Sequence, residues 1–221
     1  MTPLATALGE IRHSIRDAQS HSGLAALEIT LVAASKTQPV ALLEEAIRLG
    51  VTNFGENKVQ EAEAKWPVLK ATHPHVRLHL IGPLQSNKAA DAVALFDVIE
   101  TIDREKIADA VAAECTRLGR QVECYIQVNT GEEPQKGGVL PSEVGVLLAY
   151  CQSAGLRVTG LMCIPPAEAN PAPHFALLRK LADGLGLTQL SMGMSQDYPD
   201  AIRLGATAVR IGTRLFGARP A

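Results

Sequence analysis

Apolar and polar positions follow two alternating rhythms along this chain. Residues 29–39, ITLVAASKTQP, form an apolar run closed by a proline, the pattern of a strand buried on both faces. Pro39 opens QPVALLEEAIRLG, whose apolar spacing is helical and which stops at Gly50. The same change of period recurs along the chain. VTNF, HVRLHLIG, FDVIET, QVECYIQVNT, LRVTGLMCI, LTQLSMG and ATAVRIG read as strands two to eight. Helices are expected between them: after the turn in GENK, over 87–95, from an Asp103 cap to near Gly119, over 141–152, ending near Gly184, and in SQDYPDAIRLG. A helix over 4–18 and a polar joint, QSHSG, precede the first strand, and TRLFGARPA comes after the last. Eight βα units in strict alternation predict a parallel sheet closed as a single (β/α)8 TIM barrel over 1–221, with an extra N-terminal helix. An open doubly wound sheet is the alternative. The count of eight, and the lack of GxGxxG after the first strand, favour the barrel. The Pro-rich PPAEANPAP is short enough to be a βα loop.

Composition narrows the partners. The chain has 221 residues, 47% hydrophobic and only 4% aromatic, so its core must be mostly Leu, Val, Ile and Ala. A net charge of −2 argues against nucleic acid or an anionic membrane as the main partner. No apolar run approaches the ~18 residues of a membrane span. The opening segment carries Glu10 and Asp17 and reads as an amphipathic helix, not a signal peptide. Cys115, Cys124, Cys151 and Cys163 form no CxxC pair, and a reducing, cytoplasmic setting is expected. His73, His75 and His79 are spread by strand geometry, with no cysteine or carboxylate beside them, so no metal is expected. Glu56, Glu61 and Glu63 are expected on a solvated helix face.

A barrel builds its active face from the residues just past each strand. The first strand offers Lys36, which a buried setting would let lose its proton and attack a carbonyl. On position alone, a strand-end lysine that snorkels to solvent is as good a reading. The second strand offers Phe54, Gly55, Glu56 and Asn57, the third Gly82, Gln85 and Asn87, and the seventh Ser191, Met192, Gly193, Met194 and Ser195. SMGMS and RIGT lie at the ends of the seventh and eighth. There Ser195, Gly212 and Thr213 could be helix caps when taken singly; on neighbouring loops they favour a phosphate cup. In a closed barrel that cup lies beside Lys36. A phosphorylated aldehyde such as pyridoxal 5′-phosphate fits the pair. Arg210 either faces the ring nitrogen of such a ligand or points outward.

Six segments, LVAASKT, NFGENKVQE, HLIGPLQSNK, VNTGEEPQKGG, GLMCIPP and LSMGMSQDYPDAIRLGATAVRIGTRLFG, span nearly the whole chain. Together they resemble the YggS/PROSC family of pyridoxal phosphate homeostasis proteins. The resemblance implies a fold-type III pyridoxal phosphate barrel like the N-terminal domain of alanine racemase, with the cofactor held as an aldimine on Lys36. It also implies phosphate contacts from Ser195, Gly212 and Thr213, and places Asn57 and Met192 near the ring. Many relatives carry a second lysine where this chain has Gln38; Lys136 remains as another acceptor, or as a solvated loop lysine.

Three functions compete. A two-base racemase needs an acid/base on each face of the reacting carbon. In alanine racemase-like enzymes an added β-domain supplies the second base, and no such domain is expected here. Tyr125, Tyr150, Tyr198 and His79 offer no obvious substitute. A Schiff-base lyase acting on a phosphorylated sugar needs a base beside Lys36 that the sequence does not nominate. The expectation is therefore a monomeric cofactor carrier without turnover. It would serve intracellular pyridoxal phosphate homeostasis, with apo-enzymes that use pyridoxal phosphate as acceptors.

Overall fold

A computed structural model of the chain describes residues 2–20 and 28–217. The QSHSG joint and the final segment lie partly outside the described residues. Eight strands close into one barrel in sequence order: β1 Thr30–Ala34, β2 Asn53–Glu56, β3 Arg77–Leu80, β4 Val98–Ile102, β5 Glu123–Val128, β6 Arg157–Cys163, β7 Gln189–Ser191 and β8 Ala208–Ile211. Every neighbouring pair is parallel, including β1 with β8, where Val32 stands opposite Arg210. The alternation of periods predicts this barrel.

The connecting helices are α2 Val40–Arg48, α3 Val59–Thr72, α4 Ala89–Leu95, α5 Glu105–Leu118, α6 Val144–Ser153, α7 Pro171–Gly184 and α8 Tyr198–Arg203, with α1 Pro3–Ser20 before the barrel and α9 Thr213–Phe216 after β8. Helix α1 buries Leu4, Leu8, Ile11 and Ile15, an i, i+4, i+7, i+11 stripe, and packs on α8 and α9. No described helix is long and apolar enough to cross a membrane.

Several boundaries move from their expected places. The second strand runs on through Gly55 and Glu56, because both pair with β3 at His79 and Leu80. The helices expected over 87–95 and 141–152 each begin with a 3-10 turn, Ser86–Lys88 and Pro141–Glu143. The SQDY helix starts only at Tyr198, after Met194 N–H has bonded Asp197 Oδ1 at 2.5 Å.

The main core lies between sheet and helices and is aliphatic, with Phe54, Trp66, Phe96, Phe175 and Tyr198 as its large buried rings. Inside the barrel a small apolar cluster, Val98, Tyr125 and Met162, shares the space with polar side chains. Cys115, Cys124, Cys151 and Cys163 are buried and unbridged. Burial pushes the Cys163 thiol up to about 12, so it is no nucleophile near neutral pH.

Gly82, just past β3, lets the backbone of Asn57 pass close. A Cβ there would stand 2.2 Å from the Asn57 carbonyl oxygen, an overlap only backbone movement relieves. The Thr101 hydroxyl ties the Gly82 carbonyl down at 2.9 Å. Gly82→Ala should therefore cost about 1–3 kcal/mol of stability, read as a lower urea midpoint with an unchanged m-value.

Candidate functional site

Strand parity aims Lys36. Side chains of one strand alternate between faces, so Lys36 continues the row of Val32 and Ala34 toward the barrel mouth while Ser35 turns toward α3. The Lys36–Thr37 turn comes directly after β1. Thr37 sits at φ 64°, in the left-handed region. A β-branched residue there costs about 1–3 kcal/mol unless its surroundings hold it.

They do. The Thr37 N–H donates to Glu61 Oε1 on α3. Lys65, one turn further, donates to the Ser35 carbonyl at 3.2 Å and pairs with Glu61 at 2.9 Å and Glu56 at 2.8 Å. Two of its N–H groups are hydrogen-bonded, to Ser35 O and Glu61 Oε1, and the Glu56 carboxylate adds an ion pair. Glu56 Oε1 also accepts from Ser35 Oγ at 2.7 Å and Trp66 Nε1 at 3.0 Å. The residues on both sides of Lys36 are thus gripped by α3. Glu56 corrects the sequence expectation: it belongs to β2 and is fully buried between sheet and helix, not on a solvated helix face. Glu61 is only partly exposed, and Glu63 is exposed as expected.

A cavity of about 710 Å3 opens at the carboxyl ends of the strands. Lys36, Asn57, Ser195, Arg210, Gly212 and Thr213 all line it, and so does Gln38. Ser195 Oγ accepts the Arg214 N–H at 3.4 Å, tying the loop after β7 to α9. Thr213 is the first residue of α9, whose N-cap is Gly212, a residue with no side chain to cap with. Gly212 lies where a Cβ would come within 3.3 Å of both Cβ and O of Ala34, so the glycine keeps the β8 and β1 ends close. Met192 is fully buried in the main core; the methionine lining the cavity is Met194. Between them Gly193, at φ 91°, packs within reach of Tyr198 and Ala201, where any Cβ would collide. Lys136 lies outside the lining and is ion-paired to Glu133 at 2.6 Å.

Arg210 points into the barrel, 4% exposed. Its Nη2 donates to the Cys163 carbonyl at 2.7 Å and its Nη1 to Ser191 Oγ at 2.6 Å. Ser191 donates on to Glu100 Oε2 at 2.6 Å, and Glu100 Oε1 meets His79 Nδ1 at 2.7 Å. His79 Nε2 ends the chain at Asn53 Oδ1, 3.1 Å away. Polar side chains of five strands and a carbonyl of a sixth, β6, thereby satisfy one another across the barrel. Burial alone would raise the Glu100 carboxyl, but the His79 bond, the His79 and Arg210 charges and the Ser191 hydroxyl outweigh it and hold it below the ordinary 4.5. No group of three His, Cys, Asp or Glu that could hold a metal occurs among the described residues.

Residues 7–220 match the family model described as alanine racemase, N-terminal domain. A pyridoxal phosphate homeostasis protein of Pseudomonas aeruginosa is 40% identical over 225 residues, covering 99% of this chain and 97% of that protein. The chain belongs to this family. PipY of Synechococcus elongatus, solved with PLP bound, superposes with a TM-score of 0.85 at 35% identity, over 97% of this chain and all of PipY. Alanine racemase of Clostridium difficile, 14% identical, shares the fold with a TM-score of 0.71 over 95% of this chain and 56% of that longer one.

Family membership leaves Glu61, Lys65 and Glu100, and the roles of the strand-end residues Glu56 and Ser191, to be found by geometry. In the sequence, Glu56 and Glu61 look like the start of a charged helix, and Glu100 and Ser191 are single polar letters in apolar strands. The last two are nonetheless legible as anomalies, since a polar residue in a buried strand demands a partner.

Replacing Glu100 with Leu leaves Arg210 and His79 buried without their carboxylate and should cost about 3–5 kcal/mol, measured by urea unfolding. Glu61 behaves like Glu100: burial raises its carboxyl, but the Thr37 amide and Lys65 bring it below 4.5. Both groups are depressed by folding. Their stabilisation is present above the unfolded-state value and is lost as pH falls through the folded one. Acid unfolding should therefore set in below pH 4.5, and Glu100→Gln should flatten that limb of the stability curve.

Proposed function

We propose that this chain binds pyridoxal 5′-phosphate at Lys36, without catalytic turnover, and serves intracellular homeostasis of that cofactor by holding it and releasing it to acceptor apo-enzymes. The observation that carries the reading is one cavity lined by Lys36 on one side and by Ser195, Gly212 and Thr213 on the neighbouring loops. These residues fit the group: an amine for its aldehyde, two hydroxyls and an unobstructed backbone for its phosphate, and a fixed cation for its ring nitrogen. When bound, the group supplies an electrophilic aldehyde carbon. Lys36 would bind that carbon, Thr213 and Ser195 would orient the phosphate, and Arg210, its charge already balanced by Glu100 3.8 Å away, would hold the ring. The name of the Pseudomonas aeruginosa relative and the PLP-bound PipY structure support the same ligand.

Holding is favoured over turnover by the surroundings of the cavity. Among the described residues, no tyrosine or histidine lines it. Tyr198 is fully buried in the core and Tyr125 is 5% exposed inside the barrel, where burial and the Glu100 and Glu123 charges raise its phenol and keep it protonated. Of the lining carboxylates, Asp197 accepts the Met194 N–H and Asp200 pairs with Arg203 at 2.8 Å. Exposed Ile164 and Met194 rim an open mouth, which suits exchange of ligand with solvent or a partner better than control of a carbanion. The barrel acts as a monomer in the cytoplasm.

Incubation with pyridoxal 5′-phosphate should turn the protein yellow, and borohydride should fix the label on the Lys36 peptide. Lys36→Ala should abolish that label with the fold intact. A label that persists on the same region, or lands elsewhere in the unaltered protein, overturns the assignment. Thr213→Val and Ser195→Ala should each weaken cofactor retention by roughly tenfold, the loss of one charge-assisted hydrogen bond, while the label stays on Lys36.

A further inference from the structure

The turn that carries Lys36 is the one described place where a β-branched residue occupies the left-handed region, and it is also where α3 grips the backbone. Thr37 alone has no reason to stay at φ 64°. Its N–H is held by Glu61, and Glu61 is held by Lys65, which simultaneously binds the Ser35 carbonyl on the other side of Lys36. Buried Glu56 anchors both Lys65 and the Ser35 hydroxyl. Residues 35 and 37 are thus fixed from one helix while residue 36 projects the opposite way, toward the cavity. We propose that Glu61 is a positioning residue for Lys36: by accepting the Thr37 N–H and orienting Lys65, it holds the left-handed turn that presents the Lys36 amine at the cavity. The inference rests on the reading of Lys36 as the cofactor-binding amine. Its physical content, the direction in which that amine points, exists without any ligand.

Two features separate this role from plain stabilisation. Glu61 is partly exposed and lies on the first turn of α3, where a carboxylate can be removed without opening the core. The contact is also length-specific. Aspartate keeps the charge but is one methylene too short to reach both Thr37 N–H and Lys65.

The test uses the full chain with Glu61→Ala and Glu61→Asp, each also combined with Thr37→Asn, a residue that tolerates the left-handed region unaided. The first readout needs no cofactor: the rate at which acetic anhydride acetylates Lys36, mapped by peptide mass and normalised to exposed Lys180 on α7. The second is the rate of pyridoxal 5′-phosphate uptake by absorbance. Both Glu61 variants should lower both rates by roughly tenfold, as misaimed reacting groups do, with a fall in melting temperature but a cooperative fold retained at the assay temperature. Thr37→Asn should recover most of the loss. A normalised Lys36 rate within about twofold of the unaltered protein for either variant, or a loss that Thr37→Asn leaves untouched, overturns the proposal. If Glu61→Ala fails to fold, the milder Glu61→Asp decides the question by the same two rates. Should the unaltered protein take up no pyridoxal 5′-phosphate, the functional reading fails, while the acetylation rates still decide how Lys36 is held.

Discussion

Backbone hydrogen bonds between β1 and β8 close this barrel, and the chemistry of its upper face depends on that closure. The register sets Val32 opposite Arg210 and Ala33 opposite Ile211. Two residues on, the Lys36 turn and the Gly212–Thr213 corner are neighbours, although they are far apart along the chain. An open sheet of the same strands would put them at opposite edges. Gly212 protects the closure by leaving room for Ala34, and helix α1 backs it from outside by packing on α8 and α9.

Two polar systems work from this frame, one on each side of the sheet. Outside, between β1, β2 and α3, Glu56, Glu61 and Lys65 hold the segment around Lys36. Inside, Asn53, His79, Glu100 and Ser191 hold Arg210. Each is a buried or half-buried charge set in which cation and carboxylate face one another, which is how buried charges are tolerated, although Glu56 Oε2 has no hydrogen-bond partner. The outer set governs where an amine points, and the inner set governs where a guanidinium points. A cavity with one amine, one cation and two hydroxyls in its lining is chemically complementary to a small ligand with a carbonyl, an aromatic nitrogen and an anionic tail.

The barrel shape itself is shared with the much longer alanine racemases at low identity, so the fold says little about turnover. The described cavity is distinguished by its lining. The tyrosines and His79, the groups that could move protons, are committed to packing or to internal bonds, and the rim is open and partly apolar.

Most of the architecture was legible in the order of residues. Alternating periods announced eight βα units, and ITLVAASKTQP placed Lys36 at a strand end before a proline-opened helix. Local information suffices there, because helix and strand periods express which face of each element meets a core. The SMGMS and RIGT segments pointed to the same mouth for the same reason. Only the tertiary structure decided which charges are buried and what they hold. Glu56 looked solvated, because its letters precede a charged helix, yet pairing with β3 turns it against Trp66. Met192, which the resemblance put near the ring, is buried in the core, and Met194, past the positive-φ Gly193, lines the cavity. Glu100 and Ser191 are 91 residues apart, and their bond exists only because β4 and β7 face each other across the barrel. Strand periodicity is set by nearest neighbours in the chain, but the pairing of buried charges is set by neighbours in space.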